Sequence, residues 1–118
     1  MLGLLKEALD WTGRHWFSAK TFLEHMIGFS HDALHVFVGV CLQIGLALLF
    51  RRTLGSLVPW AMALGLELAN EASDFHVEIW PQRAMQWGES AKDVILTMAL
   101  PTVIVILVRW RPQLFRAR

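Results

Sequence analysis

Between Ala33 and Phe50 the chain runs for eighteen residues without a charged side chain and is then stopped by Arg51 and Arg52. As a helix that run would rise about 27 Å, close to the roughly 30 Å depth of a bilayer's hydrocarbon layer. It therefore reads as a transmembrane segment, 33–50. Two further segments share this character. From Thr53 to Ala69 the only charge is Glu67, and Pro59 falls near the expected helix start, where a proline costs little. After Asp93 the chain is uncharged to Val108, with Pro101 in the middle. A mid-helix proline removes a backbone donor, a defect that membrane helices tolerate when neighbours satisfy the freed carbonyl. The expected fold is an all-α integral membrane bundle with transmembrane helices over 33–50, 53–72 and 93–109. Composition agrees: 55% of residues are hydrophobic and only 18% charged, mean hydropathy is +0.44, and there are six Trp, a residue enriched at membrane interfaces, but no Tyr.

At 118 residues a single domain is expected. Residues 1–29 differ in kind from the rest. Leu2, Leu5, Leu9, Trp16, Phe17, Leu23 and Ile27 recur with roughly helical period, and Lys6, Glu7, Asp10, Arg14, Lys20 and Glu24 fill much of the remainder. This is the pattern of one or two amphipathic helices, either lying in the membrane interface with Trp11 and Trp16 at headgroup depth or packed on the side of the bundle. His15 and His25 fall in the same segment and are expected at the interface. The charges at Lys6, Glu7 and Asp10 break up any signal-peptide core, so the N-terminus is expected to be retained. Residues 73–92 are polar, contain Pro81 and Gly88, and still hold Trp80 and Trp87; they read as an outer loop or a short interfacial helix. The lone Cys41 cannot form an intramolecular disulfide and is expected to be a small buried hydrophobe.

Lys and Arg placement sets an orientation. Arg51 and Arg52 separate the first two segments, and Arg109, Arg111, Arg116 and Arg118 follow the third, so three spans would bring six basic residues and no acidic ones to one face. The loop at the other face carries Glu71, Asp74, Glu78, Glu89 and Asp93 against Arg83 and Lys92. The positive-inside rule then places the arginines and the C-terminus in the cytoplasm and the N-terminus outside, in a bacterial inner membrane. With a net charge of +1 and basic residues only in short clusters, nucleic acid is not an expected partner. The lipid bilayer is.

The polar residues of the three apolar segments gather at one end of each, in pairs spaced four apart: His31/His35, Glu67/Glu71 and Glu89/Asp93. Residues four apart share a helix face. His35 and Glu67 each lie about one turn inside the boundaries marked by Asp32 and Glu71, roughly 5 Å at about 1.5 Å per residue. Asp93 opens the third span at nearly the same level. Asn70 and Asp74 extend the second stripe, Thr97 and Pro101 the third, and Gly39 and Gln43 the first, with Gly39 small enough to let another helix approach closely. Ionisable groups inside hydrocarbon are costly and suggest function. A histidine with two carboxylates can bind a divalent metal such as zinc, act as a general acid/base pair, or form a hydrogen-bonded lock between helices. His31 at the boundary reads as solvated, His76 as weaker still, and Glu78 and Glu89 as solvated loop charges.

The stretches DALHVFVGV (Asp32 to Val40), LELANE (Leu66 to Glu71) and DVILTMALP (Asp93 to Pro101) resemble the VanZ-like group of small bacterial membrane proteins. That family's pattern has an aspartate and a histidine opening one helix, a glutamate followed by a glutamine near the end of the next, and an aspartate followed by asparagine and glycine in the last. The resemblance covers residues 32–108 and selects Asp32, His35, Glu67 and Asp93. Asn70 stands in place of the glutamine, Thr97 of the asparagine, and Leu100 or Pro101 of the glycine. The resemblance implies a cell-envelope role. The expected site is thus His35, Glu67 and Asp93 as metal-holding or catalytic groups, Glu71 as proton carrier, and Asp32 and Asn70 around them. The expected substrate is a lipid-linked or other envelope molecule, bound or hydrolysed. The alternative is a small accessory subunit of a larger membrane complex, with the triad as an internal lock.

Overall fold

In the computed structural model, which describes residues 1–28, 30–78 and 81–116, the chain is built of helices: α1 (Leu2–Ile27), α2 (His31–Leu49), α3 (Leu57–Val77) and α4 (Arg83–Trp110), with a 3₁₀ turn, Pro112–Phe115. Trp80 and Arg118 lie outside the described residues. Local chemistry sets the helix ends. Gly28 closes α1 in the left-handed conformation, φ 75°, with its N–H on Glu24 O. The Ser30 hydroxyl accepts from Ala33 N–H at 3.1 Å to open α2, and Ser56 does the same for α3 through Val58 N–H at 3.2 Å.

The N-terminal amphipathic segment forms one helix, Leu2–Ile27, and it packs against α3. Gly13 is its single buried residue: a side chain there would come within 3.1 Å of Val77 and 3.2 Å of Ser73. Residues 73–92, expected as an outer loop or a short interfacial helix, fall mostly in the two long helices α3 and α4. Asp74, Phe75 and His76 continue α3, and Ala84, Met85 and Gln86, all competent helix formers, start α4 just after Pro81. Gln86 Nε2 donates to the carbonyls of Phe75 at 3.2 Å and Glu78 at 3.4 Å, satisfying acceptors at the end of α3.

Among the described residues two helices, α2 and α4, are long and apolar enough to cross a membrane, where three were expected. The second expected span falls short because α3 carries Glu67, Glu71 and Asp74. All three are buried, so α3 turns its charge inward. The interior is polar and the exterior apolar. Among the described residues the buried polar side chains are His35, Gln43, Glu67, Glu71, Asp74, Gln86, Asp93 and Thr97, against only Ala47, Ala63, Met98 and Val105 as buried hydrophobics. Only 22% of the apolar window of α2 and 28% of that of α4 is buried, unlike the core helices of a water-soluble domain. Cys41 is exposed, contrary to expectation, because it falls on this apolar outer surface of α2.

The tightest crossing joins α2 to α4. A Cβ on Gly39 would lie 1.9 Å from the carbonyl oxygen of Thr97. That carbonyl is the one left without its i+4 donor by Pro101, which has no N–H. One turn on, Gln43 Nε2 donates to Pro101 O at 3.1 Å. At the opposite end from the acidic residues, Arg109 Nε donates to Gly55 O at 2.7 Å, tying the α2–α3 turn to the end of α4.

Candidate metal centre

The start of α2, the end of α3 and the part of α4 around Asp93 come together at one end of the bundle, joined there by the last turns of α1. His31 and His35, one turn apart on α2, point their Nε2 atoms at each other across 3.1 Å. Asp93 Oδ2 lies 3.2 Å from His31 Nε2 and 3.6 Å from His35 Nε2. Three ligand-type atoms thus form a nearly equilateral triangle. Donors about 2.1 Å from a tetrahedral zinc ion stand roughly 3.4 Å apart, so the triangle has the size of one face of such a site. Glu71 Oε1, 4.0 Å from His35 Nε2, is the next acceptor outward.

The other ring nitrogens decide which atoms are free to bind. Thr97 Oγ1 gives its hydrogen to Asp93 O at 2.8 Å, so towards His35 Nδ1, 2.9 Å away, it acts as acceptor. His35 Nδ1 therefore carries the hydrogen, and in the neutral ring Nε2 presents a lone pair. His31 Nδ1 donates to Glu24 Oε1 at 2.7 Å, with the same consequence. An imidazole whose outer N–H is held by a carboxylate or hydroxyl is the arrangement that orients histidine ligands towards a metal. Two lone pairs and a carboxylate oxygen this close repel one another unless a positive charge, a proton or a metal ion, sits among them.

The structure brings His35, Glu67, Glu71 and Asp93 into one cluster, with Glu67 Oε1 3.3 Å from His35 Nδ1, on the side away from the triangle. Asp32 and Asn70 stand at its edge: a carboxylate oxygen of Asp32 lies within 4.8 Å of Asp93 and Glu89, and Asn70 Nδ2 donates to Glu71 Oε1 at 3.4 Å. Asp32 is exposed and pairs with Lys92 Nζ at 3.2 Å. Asn70 faces α1, where its Oδ1 accepts from Trp16 Nε1 at 2.8 Å and Lys20 Nζ at 2.7 Å. His31, read from the sequence as solvated, belongs to the triangle; only its i,i+4 spacing to His35 signalled this. Glu24 and Lys20 were not singled out, because the fold-back of α1 that delivers them leaves no local trace. Lys20 Nζ pairs with the buried Asp74 at 2.6 Å. Glu89 is half-buried on α4 and pairs with Lys92 at 2.6 Å. His76 bonds Asp10 across α1 and α3, and that hydrogen bond holds the Asp10 carboxyl below its ordinary pKa.

Among the described residues three buried side-chain oxygens have no hydrogen-bond partner within the chain: Gln43 Oε1, Glu67 Oε1 and Asp93 Oδ1. Two of them are carboxylate oxygens of the cluster. Comparison with known proteins returns no matching family model, no similar curated protein and no similar solved structure.

Proposed function

We propose that this chain is a multi-pass protein of a bacterial inner membrane that holds a divalent metal ion such as zinc between His31 Nε2, His35 Nε2 and Asp93 Oδ2. The carrying observation is the triangle of ligand atoms, 3.1, 3.2 and 3.6 Å on its edges, with both Nδ1 atoms engaged elsewhere. Glu71 completes or borders the site, and Glu67 steadies His35. The ion would supply Lewis acidity for hydrolysis of a lipid-linked or other envelope molecule, and Glu71 is the group placed to carry a proton.

Membrane placement draws support from the polar interior and apolar exterior, and from Trp11, Trp16 and Trp87 exposed at one end and Trp110 at the other, as interfacial indoles are. In this reading α3 is the third span, its carboxylates shielded by its neighbours. Arg51, Arg52, Arg109, Arg111 and Arg116 gather at the end away from the site, which under the positive-inside rule faces the site and the N-terminus outward. The VanZ-like resemblance is part of the same proposal, since it selects His35, Glu67 and Asp93 independently of their geometry.

A second reading, an accessory subunit with the cluster as a lock, is favoured by the internal chain from His35 through Thr97 to the Asp93 carbonyl. Metal analysis of detergent-purified protein separates the two. The metal reading expects about one ion per chain, lost in both His31→Ala and His35→Ala, and retained more weakly in Glu67→Gln. A wild-type chain that neither copurifies with a divalent ion nor binds added zinc sinks it in favour of the lock.

A further inference from the structure

Two cavities meet at Glu71 and Ser90. One, of about 220 Å³, opens at the acidic end; its walls include Glu71, Asp74, Glu78, Glu89 and Asp93, and neither Phe nor Trp. The other is a larger groove of about 730 Å³ between α3 and α4, within the range of small-molecule sites. Its walls run from Leu68 and Val94 through Ala72 and Ala91 to Phe75 and Trp87, whose rings lie 4.6 Å apart. At the acidic end the Arg83 guanidinium lies 5.5 Å from the Phe75 ring centroid. Stacking uses the face of a guanidinium and leaves its N–H edge for an anion. Among the described residues no carboxylate pairs with Arg83.

We propose that the α3–α4 groove binds one zwitterionic phospholipid with a primary-amine headgroup, of the phosphatidylethanolamine class, its chain along the groove, its phosphate at Arg83 and its ammonium in the acidic cavity. The order of chemistry in the joined cavities, apolar, then cationic, with an acidic chamber to the side, matches the order of groups in such a lipid. An anionic headgroup would match Arg83 but meet the carboxylates unpaired. A choline headgroup has no N–H to give them and is recognised by aromatic cages, which the acidic cavity lacks. The carboxylates also have capacity for the ammonium: Asp93, only 4% exposed, keeps Oδ1 without a partner, and Glu71, which takes a long bond of 3.4 Å from Asn70 Nδ2, lines both cavities at their junction. The proposal rests on the membrane reading above and gives its site a substrate class with lateral entry from the bilayer.

The test is native mass spectrometry of the full chain, delipidated in detergent and offered equimolar dioleoyl phosphatidylethanolamine, phosphatidylcholine and phosphatidylglycerol. The expected result is a single phosphatidylethanolamine adduct, retained about tenfold over each competitor, as one charge-assisted contact permits. Arg83→Gln should lower that retention about tenfold, and Ala72→Trp and Ala91→Trp, at exposed positions in the groove, should abolish it while helicity is unchanged. Equal retention of the three lipids, preference for phosphatidylglycerol, or adducts indifferent to all three variants would overturn the proposal. Metal content measured on the same samples keeps the readings apart. A metal-free chain that still selects the amine lipid fails only the metal reading, and a metal-loaded chain without lipid selectivity fails only this one.

Discussion

Gly39→Ala perturbs the site without touching it. The new Cβ would stand 1.9 Å from Thr97 O, 2.8 Å from Thr97 C and 3.2 Å from Thr97 Cα, all backbone atoms that no rotamer change can remove. An ordinary carbon–oxygen contact is about 3.3 Å, so α2 and α4 must part by roughly 1.4 Å at this point. The same displacement takes the His35–Thr97 hydrogen bond from 2.9 Å and the Gln43–Pro101 bond from 3.1 Å past any useful length. Each loss leaves a buried polar group unsatisfied at about 1–3 kcal/mol, for a total of roughly 2–6 kcal/mol. If the helices do not part, overpacking costs about 1–3 kcal/mol instead. The assay is thermal unfolding in detergent followed by helicity, with zinc titration on the folded protein. Gly45→Ala is the control on the same helix: nothing lies within 4 Å of its Cβ. It should be neutral or stabilising by about 0.5–1 kcal/mol. If the two variants melt alike and bind zinc alike, the close crossing and its coupling to His35 are refuted.

Glu24→Gln keeps a hydrogen-bond acceptor for His31 but removes its charge, and should weaken zinc binding by about 10–100-fold with helicity unchanged; equal affinity by calorimetry would remove Glu24 from the site's support. Lys20→Met keeps the apolar stem and deletes the ammonium from the 2.6 Å pair with Asp74, whose side chain is 7% exposed. Stranding that carboxylate should cost about 3 kcal/mol in a denaturant titration, and a loss below about 0.5 kcal/mol would contradict the pairing. The Asp10–His76 bond makes the docking of α1 sensitive to acid. The folded pKa of Asp10 lies below its unfolded value, so its contribution is full above the ordinary aspartate value of about 3.9 and is lost as pH falls through the lower folded value. Hydrogen-exchange protection of α1, corrected for the intrinsic pH dependence of amide exchange, should therefore fall in that window for the wild type, and Asp10→Asn should be poorly protected at neutral pH; a wild type whose corrected protection does not change with pH would exclude the effect.

What the sequence reveals here is what helical period and charge can carry. The apolar run of α2 and the i,i+4 pairs at the ends of the segments were visible because each lies within one helix. The partners of His31 were not, since Glu24 is on α1 and Asp93 is 62 residues away. Asn70 illustrates the limit of a stripe: three steps of about 100° place it roughly 60° to one side of Glu67, enough to turn its Oδ1 to α1 while Nδ2 keeps only a long bond to Glu71. Over 73–92 neither an outer loop nor a short interfacial helix describes the segment, because its polar residues lie on buried faces of α3 and α4, which extend into it from either side. Cys41 was misplaced by the rule that thiols are buried, which assumes a water-soluble exterior.

The chain contains its own standard for what a polar lock looks like. At Lys20 a single ammonium reaches both Asp74, at 2.6 Å, and Asn70, at 2.7 Å, so donor and acceptors match across α1 and α3. The neighbouring cluster does not match in this way. It brings Glu67, Glu71 and Asp93 together with two imidazoles whose N–H groups point outward, to Glu24 and Thr97, and it leaves Glu67 Oε1 and Asp93 Oδ1 without donors. Buried carboxylates in that condition cost several kcal/mol each unless a positive charge is supplied. A chain that could satisfy Asp74 with a lysine has put only imidazoles beside Asp93, His31 Nε2 at 3.2 Å and His35 Nε2 at 3.6 Å. The deficit is therefore better understood as an invitation to a cation from outside the chain than as an imperfect lock, and it sits at the junction with the groove through which an amphiphile would approach.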